Sequence, residues 1–586
     1  MTPALRRPLF SIALLLALAT PARAQRASLS GVVIKAVNGE PAAGASVKLV
    51  DEPPSSSPAG RSLKSTTTGA DGSFTFDDLE PRPYWIVANM QGYLPVEYGQ
   101  RGPTGTGTSL ALTAGQRASV RLNIWPTSGI SGRVVDGDGD PVGRAQVLAL
   151  RTNYRDGRPS MTIAQTVMTN DRGEYRMFWL TPGAYRVAAR RWDPESSATP
   201  INISPPRRFT SNEQGTSPLV SRRADAAGAP IEETYVPIYA PSTPDLQLAS
   251  PITLAPGDSA PAVDIQLVND RVPARHVRGV FARIDGGARG LLLLVPRVQT
   301  PFAVVSSATV EAGGVFDIGG VAPGQYFLYA QDSTALQPIE VADADVNNVT
   351  LVQTAGISLK GRVTIDRGLS PSTADASVNP TAFQIQMTRE PYLVGAPDGG
   401  PRFNPAPSDD GTINLNSVAP GDYSVTVRPF GIGPDGESLT GRVVTGPLSN
   451  AYMKSIRLGS ADVLADGLHL TGPTSESLEV VIGLNGAEID GTAFVNGRDP
   501  AANVVVVAVP DGGNRGRRDL YKRTSTDAQG HFALSGLAPG DYTFYAWADI
   551  ERGAWESPEF MRAYEGRGRF VRLREGRNDA IELQVP

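Results

Sequence analysis

One short pattern is written five times along the chain: a glycine, two alternating apolar residues, a Leu or Val, a proline and a tyrosine. The copies start at Gly72, Gly173, Gly314, Gly411 and Gly530 and reach Tyr84, Tyr185, Tyr326, Tyr423 and Tyr542, with the same spacing throughout. Between those ends lie Phe74/Phe76, Tyr175/Met177, Phe316/Ile318, Ile413/Leu415 and Phe532/Leu534, then Leu79, Leu180, Val321, Val418 and Leu537. A fixed spacing repeated this often marks an array of one structural module.

Each copy has a front half. Leu29-x-Gly31-x-Val33 recurs as Ile130-x-Gly132-x-Val134, Val277-x-Gly279-x-Phe281, Leu359-x-Gly361-x-Val363 and Ile489-x-Gly491-x-Ala493. Alternation at period two puts one strand face in a core and the other in water. Asp71-Gly72, Asp410-Gly411 and Asp527 to Gly530 supply hairpin residues. Pro-Gly suits a type II turn, with the glycine at positive φ. The tyrosine after it is expected to bury its ring and to bond its hydroxyl back to the bend. Most copies then close with two further short strands, such as Leu110/Leu112 and Val120/Leu122. About seven short strands per module, without a helical period, predict an all-β tandem array of about five small antiparallel sandwiches.

The expected limits are 25–126, 127–271, 272–355, 356–484 and 485–586, with a loop insertion at 193–230 in the second module. Residues 1–24 read as a secretory signal peptide. Arg6 and Arg7 precede an apolar run, and Ala22-Arg23-Ala24 offers a cleavage site after Ala24. A secreted or periplasmic protein is therefore expected, with no later segment as long and apolar as a membrane span. The 586 residues contain no cysteine, which excludes disulfides, thiolate metal ligands and a thiol nucleophile. A net charge of −5 gives no field for nucleic acid.

The succession Φ-x-Gly-x-Φ, Asp-x-x-Gly-x-Phe, Leu-x-Pro-Gly-x-Tyr, where Φ is apolar, resembles the carboxypeptidase regulatory-like domain. That resemblance spans essentially the whole mature chain. It implies a transthyretin-like (prealbumin-like) β-sandwich, similar to collagen-adhesin B-type repeats and starch-binding-like folds. It implies an accessory module and no activity of its own.

The residues themselves point the same way. A zinc peptidase needs a His-x-x-Glu pair, and His276, His469 and His531 have no such neighbour. No Gly-x-Ser-x-Gly elbow and no phosphate-cradling loop is present. The run Asp136 to Asp140 resembles the opening of a calcium loop, but the position of its closing carboxylate falls on Val147 inside a strand. A hairpin turn accounts for it. Lys35 and Asn123 resemble the partners of a self-formed isopeptide bond, without the carboxylate such a bond requires. No catalytic residue, metal or cofactor is expected.

Aromatic side chains remain as candidates. Trp85, Tyr545 and Trp547 stand out of phase with the inward positions, and Trp179 lies where its strand leaves the sheet. Exposed rings stack on sugar faces, so these four residues are candidate carbohydrate contacts; packing between modules is the alternative. The expected function is a non-catalytic exported interaction or scaffold protein of the bacterial cell envelope or extracellular space. Carbohydrate binding is the alternative, and service as an accessory to a peptidase the third reading. Expected partners are a glycan or a cell-envelope protein, not nucleic acid.

Overall fold

The computed structural model describes residues 26–51, 62–105, 107–155, 157–191, 220–224, 230–283, 290–297, 306–330, 335–353, 355–368, 375, 377–390, 402–430 and 446–585. Residues 1–24, where a signal peptide is expected, lie outside the described residues. Two compact units are present. One comprises Met1–Gln91, Pro95–Tyr98 and Gly107–Ile124; the other comprises Gly92–Leu94, Gly99–Thr106 and Trp125–Pro586.

The first unit is a two-sheet sandwich. One sheet orders Ser73–Leu79, Ala27–Lys35 and Arg117–Ile124. The facing sheet orders Ser62–Thr67, Ser46–Val50 and Pro83–Asn89, with short strands at Val96–Glu97 and Leu110–Ala111 beside the last. The second unit repeats this plan four times. Its first-sheet centres are Ser128–Asp136, Arg275–Ala282, Ile357–Asp366 and Ala487–Val495. The described residues form all-β sandwiches, as the alternation predicts, on the transthyretin-like plan that the resemblance implies.

One pairing in each sandwich departs from antiparallel order. The first strand runs parallel to the last, as in Gly31↔Val120, Gly279↔Val349 and Gly361↔Leu478. The two closing strands therefore do not form a hairpin with each other. Leu110–Ala111 joins the second sheet and Arg117–Ile124 the first, so the exposed turn at Gly115 carries the chain from one sheet to the other. In the fourth sandwich Tyr452–Leu458 adds an edge strand beside Leu478–Gly483, and Leu468–Leu470 takes the closing position on the other sheet.

The glycine of the first strand faces the first apolar residue of the central pattern in all five copies: Gly31↔Phe74, Gly132↔Tyr175, Gly279↔Phe316, Gly361↔Ile413 and Gly491↔Phe532. A Cβ on Gly31 would lie 2.5 Å from the Phe74 ring and 2.6 Å from the Val120 carbonyl oxygen. The neighbouring ring and the parallel strand fill the space a side chain would take, so the motif requires glycine there.

Five tyrosine corners lock the bends. Each hydroxyl donates to the carbonyl four residues earlier: Tyr84 to Glu80 (3.0 Å), Tyr185 to Thr181, Tyr326 to Ala322 (2.8 Å), Tyr423 to Ala419 (2.7 Å) and Tyr542 to Ala538 (3.0 Å). Burial pushes the Tyr326 hydroxyl up to about 12 and raises that of Tyr542, so the ring stays a neutral donor. The Pro-Gly bend is not a type II turn. Gly183, Gly421 and Gly540 sit at φ +145°, +147° and +157°, far from the value near +80° that turn needs.

The insertion at 193–230 is not simply a loop. Val220–Ala224 pairs with Pro230–Tyr235, which pairs with Arg271–Pro273, making a separate three-stranded sheet. Residues 192–219 and 225–229 lie outside the described residues. Within the second unit, two sandwiches that are not consecutive also touch. Arg151 Nη2 meets Glu551 Oε2 at 2.8 Å, and the Tyr154 and Phe560 rings lie edge to face at 5.9 Å.

Candidate functional site

The strand before each corner carries a bulge, one residue ahead of the core Leu or Val. Its residue has positive φ in every copy: Asp78 at +59°, Trp179 at +64°, Gly320 at +70°, Ser417 at +61° and Gly536 at +69°. The pairing register shifts at the same place each time. The bulge re-aims the chain as it leaves the sheet. Glycine takes this conformation freely and short polar side chains tolerate it. Tryptophan does not: a bulky residue there is an outlier held by its surroundings.

Trp179 is 62% exposed, and its neighbour Phe178 is 46% exposed. The two rings meet edge to face, with centroids 4.7 Å apart. In the fifth sandwich the equivalent bulge grips another part of the chain. Gly536 N donates to Asn450 Oδ1 at 2.8 Å, and Ser535 Oγ donates to the Ser449 carbonyl at 3.1 Å.

The other aromatic candidates separate from Trp179. Tyr545 and Trp547 do point away from the sandwich core but are buried, which corrects the expectation that their rings are exposed. They stack at 5.4 Å inside a second small core with Val505, Val507, Val509, Tyr521, Trp555 and Met561. The short helical turns Ala554–Glu556, Pro558–Met561 and Arg562–Tyr564 lie over this sheet face and exclude water from it. The sequence held an unused signal here. Val504 to Val509 is an unbroken apolar run, and Val505–Pro510 is buried on both faces, as such a run requires. Trp85 is half-buried beside Val50. Of the three candidates in the second unit, Trp179 alone is exposed.

The residues weighed for other chemistry are engaged in local contacts. Asp136 Oδ1 accepts from the backbone N–H of Asp138 (3.1 Å) and Asp140 (3.0 Å), closing a hairpin turn. Lys35 Nζ pairs with Glu40 Oε2 at 3.0 Å. His276 is clasped by Asp317 Oδ1 at 2.6 Å and Glu232 Oε2 at 3.2 Å. His469 is held by Asp422 Oδ1 at 2.7 Å and the Asp466 carbonyl at 2.8 Å. Among the described residues no group of three His, Asp or Glu could hold a metal, and no helix is long and apolar enough to cross a membrane. A cleft of about 330 Å³ lies between Thr104, Arg151, Pro182, Asp549 and Glu551. Thr104 Oγ1 donates to Asp549 Oδ1 and Arg151 pairs with Glu551, so its polar groups are already engaged.

Sequence reading missed one more feature, a buried threonine four residues before the central glycine in three copies. Thr68, Thr169 and Thr526 each accept from a backbone N–H and donate to the carbonyl of Ala42, Val142 or Ala501. They occur where the chain has the turns at Pro41, Pro141 and Pro500, which they tie to the second sheet.

Several solved structures are similar over long stretches at low identity. The Bacillus anthracis TIE protein is 10% identical, covering 79% of this chain and 74% of that one, with a TM-score of 0.14. GBS52, the minor pilin of Streptococcus agalactiae, is 13% identical over 42% of this chain and 99% of its own, with a TM-score of 0.20. BcpA, the major pilin subunit of Bacillus cereus, is 9% identical over 56% and 100%, with a TM-score of 0.15. No curated protein matches the chain. The carboxypeptidase regulatory-like domain matches at residues 28–124 and again at 129–211, the stretches that hold the first two copies of the repeat.

Proposed function

We propose that this chain is a non-catalytic, exported multi-module interaction protein of the bacterial cell envelope or extracellular space. The observation that carries this reading is the repeated sandwich, whose motif residues are all used to hold the fold. The tyrosines staple bends, the aspartates close turns, and His276 and His469 are fastened to carboxylates. What differs between modules is the decoration of the outer faces and edges, the usual place for recognition on a rigid scaffold. Secretion through the segment 1–24 belongs to the same proposal; N-terminal sequencing of the mature protein should begin at Gln25. Peptidase activity in the purified chain would overturn the whole reading.

A second reading, carbohydrate binding, is favoured by one observation: the exposed Phe178–Trp179 pair on a strained bulge. Binding to immobilised polysaccharides that disappears in Trp179→Ala, with the circular dichroism spectrum unchanged, would support it. Tyr545 and Trp547 take no part, because they are buried.

A further inference from the structure

The closing strand of the second sheet occupies an edge in each sandwich, and the five edges differ. The first is only Leu110–Ala111. The second, Ile252–Leu254, stands between Pro251 and Pro256. The third, Leu336–Val341, contains Pro338 and Glu340, and the fourth, Leu468–Leu470, carries His469 tied to Asp422. Short strands, prolines and polar ties are how proteins blunt an open edge. The fifth, Arg569–Leu573, has no proline, and all five residues pair with Gly540–Phe544 on one side. Among the described residues no strand pairs with its other side.

This edge is cationic. Arg562, Arg567, Arg569, Arg572, Arg574 and Arg577 lie between 562 and 577, against Glu565 and Glu575, giving +4 (six minus two) in a chain of net −5. Arg572 is used internally, bidentate to Asp541 at 2.6 and 2.9 Å, and Arg577 pairs with Asp490 at 2.7 Å. Glu575 accepts from the Tyr452 hydroxyl. Arg562, Arg569 and Arg574 form no ion pair among the described residues, and all three are exposed. Phe570, flanked by these charges, is 56% exposed. Leu573 turns into the core, so the alternation leaves Phe570, Arg572 and Arg574 on the outer face.

We propose that Arg569–Leu573 is a docking edge for an extended acidic polypeptide segment of a partner protein, which adds as a strand beside it. Main-chain hydrogen bonds would supply the register and the arginines the choice of partner. The segment that fits carries an apolar residue opposite Phe570, an acidic residue one position to one side of it to meet Arg569, and another four positions to the other side, on the Phe570 face, to meet Arg574. This surface rests on the reading of the chain as an interaction protein and names one partner class for it.

The test uses the full mature chain and a labelled twelve-residue peptide with a central Val, Glu one position to one side of it and four positions to the other, and Thr elsewhere, followed by fluorescence anisotropy. Binding that weakens at high salt, and falls about tenfold in Arg569→Ser/Arg574→Ser, is the expected result. The same composition interrupted by proline should bind weakly, since it cannot form a strand. Near-ultraviolet circular dichroism of the Trp547 and Trp555 core checks that the variant is folded. Equal binding of the proline-interrupted peptide, or of a sulfated polysaccharide, would overturn strand addition. So would affinity unchanged in the double variant, or no binding at all, which would leave the arginines as guards against self-pairing. Because the edge lies far in sequence from Trp179, failure here leaves the polysaccharide experiment and its reading intact.

Discussion

The outer sheet face of the fifth sandwich and the bulge of the second carry the same kinds of residue and meet opposite fates. Tyr545 and Trp547 look outward from their strand and are covered by helical turns bearing Trp555 and Met561. Phe178 and Trp179 belong to an ordinary half-buried strand and are left in water. Strand phase decides which side of a sheet a ring takes. It does not decide whether that side is wet, which depends on what the chain does later. Here the cover comes from residues 554–564, and nothing in the phase of 540–547 announces it.

Trp555→Ala should give the largest effect on this contrast. The side chain is 1% exposed at the centre of the covering segment, and its loss should cost about 3–5 kcal/mol in that module's unfolding transition. Urea titration followed by tryptophan fluorescence, with near-ultraviolet circular dichroism of the Tyr545–Trp547 stack, reads it directly. A cost under about 1 kcal/mol would mean that the cover is loosely held, and the fifth sandwich would then resemble the second.

Exchanging the bulges sharpens the comparison. Gly536→Trp places a bulky side chain at φ +69°, against the Ser449 and Ala451 carbonyls, and should destabilise by about 1–3 kcal/mol. Trp179→Gly relieves the same conformation and should stabilise by about 1 kcal/mol while removing the exposed ring. If calorimetry instead shows Trp179→Gly to be destabilising, the indole is a packing residue and its claim to a recognition role fails.

Part of this was legible in the sequence, for a physical reason. The five-fold pattern is built from local constraints, so it reports the strands, the central hairpin and the tyrosine corner. Gly31 facing Phe74 shows how the front glycine and the central aromatic form a single device across two strands. The parallel pairing of first and last strands was not legible, because alternation is the same in either direction. Neither was the covering of outer faces, although a trace existed. Ser46–Val50 and Phe383–Glu390 alternate and have one wet face, whereas Val505–Pro510 and Leu291–Pro296 are continuous apolar runs buried on both. Trp179 was singled out, but its strain was invisible, since a bulge has no residue signature when tryptophan occupies it.

Tyrosine corners should be indifferent to these differences. Tyr185→Phe and Tyr542→Phe each remove one hydroxyl donor and leave a carbonyl unpaired, so each should cost about 1 kcal/mol by denaturant unfolding. Unequal costs would show that the corner is coupled to the outer face, and the second sandwich would no longer serve as the uncovered counterpart of the fifth.

The smallest expected effect lies at the second module's other end, where Glu232 of its added sheet reaches His276. Partial burial pulls the His276 pKa down, but hydrogen bonds to Asp317 and Glu232 and the Asp317 charge outweigh it, leaving the imidazole above its ordinary value. Arg278 and Asp345 complete the cluster, with Arg278 bonded to both Asp317 and Asp345. A raised folded pKa means the folded state holds the proton more tightly. The resulting stabilisation is complete below the unfolded value near ~6.5 and is lost as pH rises through the folded one. The junction should therefore loosen as the pH rises above about 6.5 and through the raised folded pKa, seen as faster amide exchange in Ile231–Tyr235. In His276→Gln that pH dependence should vanish. Persistence of the dependence in the variant would assign it to the Arg278, Asp317 and Asp345 cluster, and would remove the histidine as the element that fastens this sheet to the third sandwich.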